Sequence, residues 1–93
     1  MKTFKDLFFE VYRCYPSLST MAVMDFDNGY GISVITGKTA YSNETHPYEV
    51  AVLKGDEICY DTPITDDVIG YCDAEMVTKI MIKIQNLQPY EEK

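Results

Sequence analysis

Tryptophan is absent from this 93-residue chain, histidine occurs once, and basic side chains are few. Lysine and arginine total 8 against 15 aspartates and glutamates, which gives a formal net charge of -7. Because nucleic acid phosphates and anionic lipids attract positive charge, this balance argues against direct binding to either and favours a partner protein with a basic surface. The same charge also keeps a protein soluble, which is the simpler interpretation of it.

Cysteine pairs with metal-binding or redox spacing are also missing. The three cysteines, Cys14, Cys59 and Cys72, are odd in number and form no C-x-x-C motif, which is typical of reduced thiols. No apolar run approaches the length of a membrane helix, and the short apolar patch after Asp6 is unlike a secretory signal. We therefore expect a cytoplasmic protein that has no contact with a membrane.

No complete catalytic, cofactor or metal motif occurs in the sequence. Gly37–Thr39 matches the end of a phosphate-binding loop, but the first glycine of that motif would fall at Ile32. His46 has too few converging partners for a catalytic triad or a zinc site. The three carboxylates of the segment 61–67 are fewer than the roughly six to eight oxygen ligands that calcium takes. We therefore predict no enzyme activity, no cofactor and no metal.

The stretch Phe26–Tyr30 predicts a β-hairpin. A three-residue loop with Gly29 in the left-handed conformation pairs Met24 with Ile32 and makes one face of the hairpin wholly apolar. A two-residue loop would instead mix polar and apolar partners on each face, so we prefer the three-residue loop. The flanking strands are predicted at 20–26 and 30–35.

A second hairpin is predicted from Tyr48 to Tyr60, with Gly55 and Asp56 in a two-residue turn. Its first strand carries apolar side chains on both faces, which is typical of a central strand that is covered on both sides. Only one of these faces can be covered by a C-terminal helix. If residues 3–18 do not cover the other face, we expect a second copy of the chain to cover it as a homodimer.

The C-terminal helix is the clearest element of the pattern. Asp73 is its predicted N-cap, Glu75 lies in the first turn where negative charge is favourable, and Pro89 prevents continuation beyond Gln88. The residues that form one buried stripe at helical spacing are Val77, Ile80, Met81, Ile84 and Leu87.

The remaining segments are predicted from weaker patterns. Residues 3–18 fit a short helical turn followed by an extended segment, although an edge strand has similar spacing. Thr65 is predicted to cap another short helical turn that ends at Gly70. Together these elements predict one α+β domain over 1–88, with a mainly antiparallel sheet of four or five strands, a helix packed on one face, and a disordered tail at 89–93.

Candidate partner-binding residues come from exposed acidic segments and from aromatic or apolar side chains predicted to face solvent. Tyrosine combines an apolar ring with a polar tip and is enriched where proteins bind each other. Ile82 falls nearly opposite the buried stripe of the helix. The candidates are Tyr41, Glu44, Asp56, Asp61, Asp66, Asp67 and Ile82.

Three strings of the sequence, at 26–31, 48–55 and 60–71, resemble those of small uncharacterised proteins encoded by bacteriophages and related mobile elements. The resemblance implies a phage or prophage source and a place in the host bacterial cytoplasm, and it brings no catalytic residue with it. Small acidic phage proteins often bind host machinery, including CRISPR and restriction nucleases. The function it implies is therefore a non-catalytic inhibitor of a host enzyme that acts on nucleic acid, with a structural or self-assembling phage accessory protein as the alternative.

Overall fold

The computed structural model describes residues 1–55, 57–59, 64 and 68–89, which form an antiparallel sheet and one α-helix. The elements are a 3-10 helix at Phe4–Asp6, the strands β1 (Glu10–Val11), β2 (Ser19–Asp25), β3 (Tyr30–Gly37), β4 (Tyr48–Lys54), β5 (Glu57–Ile58) and β6 (Ile69–Cys72), and the helix α1 (Ala74–Gln85). The predicted α+β class is confirmed. Within the described ranges the sheet has six strands against the four or five predicted, because β6 joins the sheet without having been predicted.

The strands follow the order β1-β2-β3-β4-β5, and β6 also pairs with β4. Because β3 occupies one side of β4 along its whole length, β5 and β6 share the other side. β5 pairs at the Leu53–Lys54 end of β4, and β6 pairs near Tyr48 and Val50. β4 is therefore central, as its two apolar faces predict.

The first hairpin has the predicted three-residue loop. Gly29 has a φ of 86°, which is the left-handed conformation that glycine adopts without strain. The Phe26 N–H donates to the Tyr30 carbonyl at 2.8 Å, and Met24 pairs with Ile32. This register places the apolar side chains of both strands on one face.

The side chain of Asn28 joins this loop to the end of the helix. Its Oδ1 accepts a hydrogen bond from the Tyr30 N–H at 3.1 Å. Its Nδ2 donates to the carbonyls of Ile84 at 2.8 Å and Leu87 at 3.2 Å. The Ile84 carbonyl also accepts from the Leu87 N–H at 3.1 Å, so the Asn28 amide adds a second bond at the last turn of the helix and a bond to the Leu87 carbonyl just beyond it.

The second hairpin has the predicted register, with Leu53 opposite Ile58 and Lys54 opposite Glu57. Gly55 has a φ of 64°, as the first position of a two-residue turn of this kind requires. The other turn residue, Asp56, lies outside the described residues, as does Tyr60 at the end of the predicted strand.

Helix α1 begins as its sequence predicts, and Val77, Ile80, Met81 and Ile84 of the predicted stripe are buried, whereas Leu87 lies beyond the end of the helix and is half-buried. The Asp73 carboxylate accepts a hydrogen bond from the Met76 N–H at 2.8 Å, which caps the helix. The helix ends at Gln85, ahead of the Gln88 limit that Pro89 imposes, and its last turn tightens, because the Leu87 N–H donates to the Ile84 carbonyl three residues back at 3.1 Å. The fully buried core between the helix and the sheet consists of Ile32, Val34, Val50, Val52, Cys72, Val77, Met81 and Ile84.

The N-terminal segment is a helical turn followed by an extended strand, as predicted. The Thr3 N–H donates to the Asp6 carboxylate at 2.9 Å, and this bond holds the pKa of Asp6 below its usual value. Phe4 and Phe9 then pack against the Tyr48 ring, with centroids 5.0 Å and 5.8 Å away. Phe4, Leu7 and Phe9 all pack on the core between helix and sheet, so the segment covers the same face as α1.

Strand β6 was not predicted from the sequence. Gly70 was expected to end a short helical turn that began at Thr65, but it lies inside β6. Residues 65–67, which would form that turn, are outside the described residues. Residues 69–72 form a strand because Ile69 pairs with Val50 and Cys72 pairs with Tyr48. Contacts between residues so far apart in the chain produce no recognisable pattern in the local sequence.

We predict that Ile84→Ala lowers the free energy of unfolding by about 2 to 5 kcal/mol, because Ile84 is fully buried and truncation leaves a cavity. Ile82→Ala on the same helix serves as the control and should change stability by less than about 0.5 kcal/mol. Chemical denaturation followed by circular dichroism measures both values. Equal losses in the two variants would contradict this packing of α1.

We also predict that Asn28→Asp destabilises the fold by about 1 to 3 kcal/mol, because it removes both amide donors and places negative charge at the negative end of α1. Asp27→Asn at the neighbouring exposed position is the matched control, and it should leave stability within about 0.5 kcal/mol of the parent. Denaturation at neutral pH tests both. A loss in the control as large as that in Asn28→Asp would show that the loop, rather than the Asn28 amide, is responsible.

Candidate protein-binding surface

The face of the sheet opposite α1 forms three rows of side chains, which we call the open face. The register of the strands sets these rows as Glu10, Met21, Ile35 and Glu49, then Val23, Ser33 and Ala51, then Asp25, Gly31, Leu53 and Ile58. Both α1 and the N-terminal aromatic residues pack on the other face. Residues 3–18 therefore leave this face open in the described structure, which is the condition under which we predicted that a second copy of the chain covers it as a homodimer.

The open face exposes apolar side chains on its outer strands and has a buried centre. Val23 on β2 leaves 51% of its surface accessible, and Ile58 on β5, at the opposite edge of the face, is also exposed. Ala51 and Leu53 are buried at the floor. A shallow groove of about 260 Å³ runs along the face between Met21, Val23 and Leu53. An exposed apolar patch of this kind, bounded by polar side chains, is typical of a protein-binding surface.

Carboxylates stand at the ends of these rows. Glu10 and Glu49 lie at opposite ends of the first row, and Asp25 begins the third row. Glu10 and Asp25 are exposed, and Glu49 is half-buried. A second groove lies beside the open face, and its lining includes Phe8 and the basic side chain of Arg13. The open face therefore offers apolar contact between its carboxylate borders, through Val23 on β2 and Ile58 on β5.

Two exposed tyrosines lie beside the Glu49 end of the open face. Tyr41 has 63% and Tyr71 has 53% of its surface accessible. The Tyr71 N–H donates to the Tyr41 carbonyl at 2.8 Å, and the Tyr41 N–H donates to the Glu49 carboxylate at 3.1 Å. A Cβ atom at Gly70 would lie 2.7 Å from the Tyr41 Cβ, so this contact requires glycine at position 70.

Tyr71 occupies a strained backbone conformation. Its φ of 55° lies in the left-handed region, where a residue with a Cβ atom costs about 1 to 2 kcal/mol. The residue stands at the irregularity in pairing between β6 and β4. Its side chain is exposed, so burial within this chain recovers little of that cost. Strain of this kind is frequent at functional sites.

The sequence candidates fall in different places. Tyr41 and Glu44 lie exposed in the loop between β3 and β4. Ile82, with 37% of its surface accessible, stands on α1 and so belongs to the covered side of the sheet. The four acidic candidates Asp56, Asp61, Asp66 and Asp67 lie outside the described residues.

The residues that define the open face were not among the sequence candidates. Met21, Val23 and Asp25 alternate along β2, and this alternation was a usable signal. It shows which side chains share a face, but it cannot tell which face the helix will cover. The place of Tyr71 beside Tyr41 depends on the pairing of β6.

The thiols sit in contrasting environments. Cys14 is exposed, whereas Cys59 and Cys72 are buried. Burial, and then the neighbouring Asp73 carboxylate, raises the pKa of the Cys72 thiol, so it stays protonated and unreactive at neutral pH. A hydrogen bond with the Cys14 side chain, followed by burial, raises the pKa of Tyr12.

Comparison of the chain with protein-family models, with curated proteins and with solved structures found no match. Across the part of the chain that the structure covers, no group of three or more histidine, cysteine, aspartate or glutamate side chains could hold a metal ion. No helix in these ranges is long and apolar enough to cross a membrane.

We predict that Tyr71→Gly is more stable than Tyr71→Ala by about 1 kcal/mol, because glycine alone relieves the left-handed strain. At an ordinary strand position the order is reversed, and glycine is the less stable of the two. Parallel thermal and chemical denaturation of the two variants shows which of them is more stable. If alanine is equal to or better than glycine, Tyr71 is not held in this conformation.

Proposed function

We propose that this chain is a non-catalytic protein-interaction module whose open face binds a partner protein with a basic surface. In keeping with the resemblance to phage proteins, the partner we propose is a host enzyme that acts on nucleic acid, such as a CRISPR or restriction nuclease, in the bacterial cytoplasm. Binding there would inhibit the enzyme by occupying a surface that its own acidic ligand uses.

The observation that carries this proposal is the arrangement of the open face. Val23 on β2 and Ile58 on β5 expose apolar surface on the two sides of the face, while Glu10, Asp25 and Glu49 place carboxylates at its borders. Apolar contact supplies affinity, and the carboxylates favour approach to a positive groove over other surfaces. The net charge of -7 strengthens the same preference over a longer range.

A second candidate is a self-assembling phage accessory protein, which the uncovered apolar face also favours. Two open faces brought together would bury Val23 and Ile58 but would place carboxylates of the two copies near each other. Salt screens this repulsion, so self-association should strengthen as salt rises. Binding to a basic partner should weaken as salt rises, and the two candidates therefore predict opposite responses to salt.

The test begins with capture of partners from bacterial lysate on the tagged full chain, followed by association kinetics at low and high salt. We expect a basic or nucleic-acid-binding protein, with an association rate that falls as salt rises. The double variant Glu10→Gln with Asp25→Asn should slow association by about tenfold at low salt. It should retain the parent's unfolding midpoint, because both side chains are exposed.

The matched control is Asp27→Asn with Glu75→Gln, which removes the same amount of charge from exposed positions outside the open face. If it slows association as much as the open-face variant, net charge rather than this surface directs binding. The variant Asp66→Asn with Asp67→Asn tests the acidic segment separately. Failure to recover any basic partner, together with sedimentation in which mass rises with protein concentration and salt, would favour the self-assembling candidate.

A further inference from the structure

The outer edge of β2 is paired along only part of its length. β1 pairs with Thr20 and Met21, whereas β2 continues to Asp25. Along a strand, the main-chain N–H and C=O groups of successive residues point alternately to the two neighbouring strands. Because the Phe26 N–H bonds to Tyr30, the main-chain groups of Met24 and Ala22 also point toward β3. Val23 and Asp25 direct theirs outward, and no described residue bonds to these outward groups.

The N-terminal chain is held away from this edge. Pairing of β1 with β2 ends at Glu10, and the Phe9 side chain packs near the Tyr48 ring on the helix face. Farther back, the Phe4 N–H donates to Thr78 at 3.1 Å, and the Lys2 main chain exchanges two hydrogen bonds with the Gln85 side chain at 2.9 Å and 2.8 Å. These anchors on α1 prevent β1 from extending along β2 toward Asp25.

We propose that an extended segment of a partner protein adds to the sheet at this edge and pairs with the main chain of Val23 and Asp25. This inference rests on the proposed function of a protein-interaction module and specifies how the partner is held. Strand addition provides main-chain hydrogen bonds for affinity, while alternate side chains provide specificity.

The surroundings of the edge define the chemistry of the incoming segment. Phe8, with 76% of its surface accessible, and Val23 line one groove beside the edge, so an apolar side chain fits opposite Val23. Asp25 is exposed and favours a lysine or arginine opposite it. A second copy of this chain is disfavoured, because each copy carries a charge of -7 and both would bring Asp25 to the shared edge.

The experiment selects binders from a displayed library of random short peptides on the immobilised full chain, and then titrates the best peptide in solution. We expect selected peptides to alternate apolar residues at a spacing of two and to carry lysine or arginine. Peptides with helical spacing, or no peptide that binds at micromolar concentration, would overturn the proposal.

Two variants at one position separate the edge from the open face. Val23→Pro removes the outward N–H donor, which edge strands tolerate, and Val23→Ala removes side-chain contact but keeps the donor. We expect the proline variant to bind the peptide about tenfold more weakly than the alanine variant. Equal weakening would overturn strand addition while leaving binding through the open face intact.

Amide hydrogen exchange tests the edge without depending on the folding of the proline variant. In the free parent chain, the amides of Val23 and Asp25 should exchange much faster than those of Ala22 and Met24. Addition of the selected peptide should slow exchange at Val23 and Asp25. Protection of these two amides in the free chain, or unchanged exchange with peptide bound, would contradict the proposal.

Discussion

The hydrogen bonds of the Asn28 side chain are the interaction on which the packing of the helix against the sheet depends. It accepts from Tyr30 within the hairpin loop and donates to the carbonyls of Ile84 and Leu87 at the end of α1. One residue thereby joins the register of the first hairpin to the position of the helix. Because side chains alternate along a strand, fixing both decides which face becomes the core and which is left uncovered.

Among the described residues, the open face is left uncovered because few elements are available to cover it. β4 has apolar side chains on both sides, but the chain contributes one α-helix to the described structure, and that helix takes the side of Val50 and Val52. The N-terminal aromatics join the same side, through Phe4 and Phe9 against Tyr48. Their packing strengthens the core, and it also withdraws the N-terminal chain from the open face and from the edge of β2.

The carboxylates at the borders of the open face oppose aggregation through its exposed apolar side chains. Exposed apolar sheet and open strand edges promote aggregation unless charge interrupts them. Glu10, Asp25 and Glu49 lie at the borders of the open face, and the net charge of -7 opposes contact between copies. The same carboxylates would select a basic partner. Tyr71 adds a strained, exposed aromatic at the Glu49 end, where its backbone is tied to Tyr41.

Much of the fold is decided by local patterns in the sequence. The loop with Gly29, the turn with Gly55 and the Asp73 cap each depend on the conformational or hydrogen-bonding preference of one residue type, and all three were predicted. The buried stripe of α1 was readable for the same reason, since periodicity is a property of neighbouring residues.

Tertiary structure alone decided the rest. β6 exists because Ile69 and Cys72 pair with a strand about twenty residues away, and no local preference encodes that contact. The alternation of Met21, Val23 and Asp25 shows that these side chains share a face, but not that the helix covers the other one. A sequence thus determines the periodicity of each element, whereas exposure of a face depends on which distant elements pack against it.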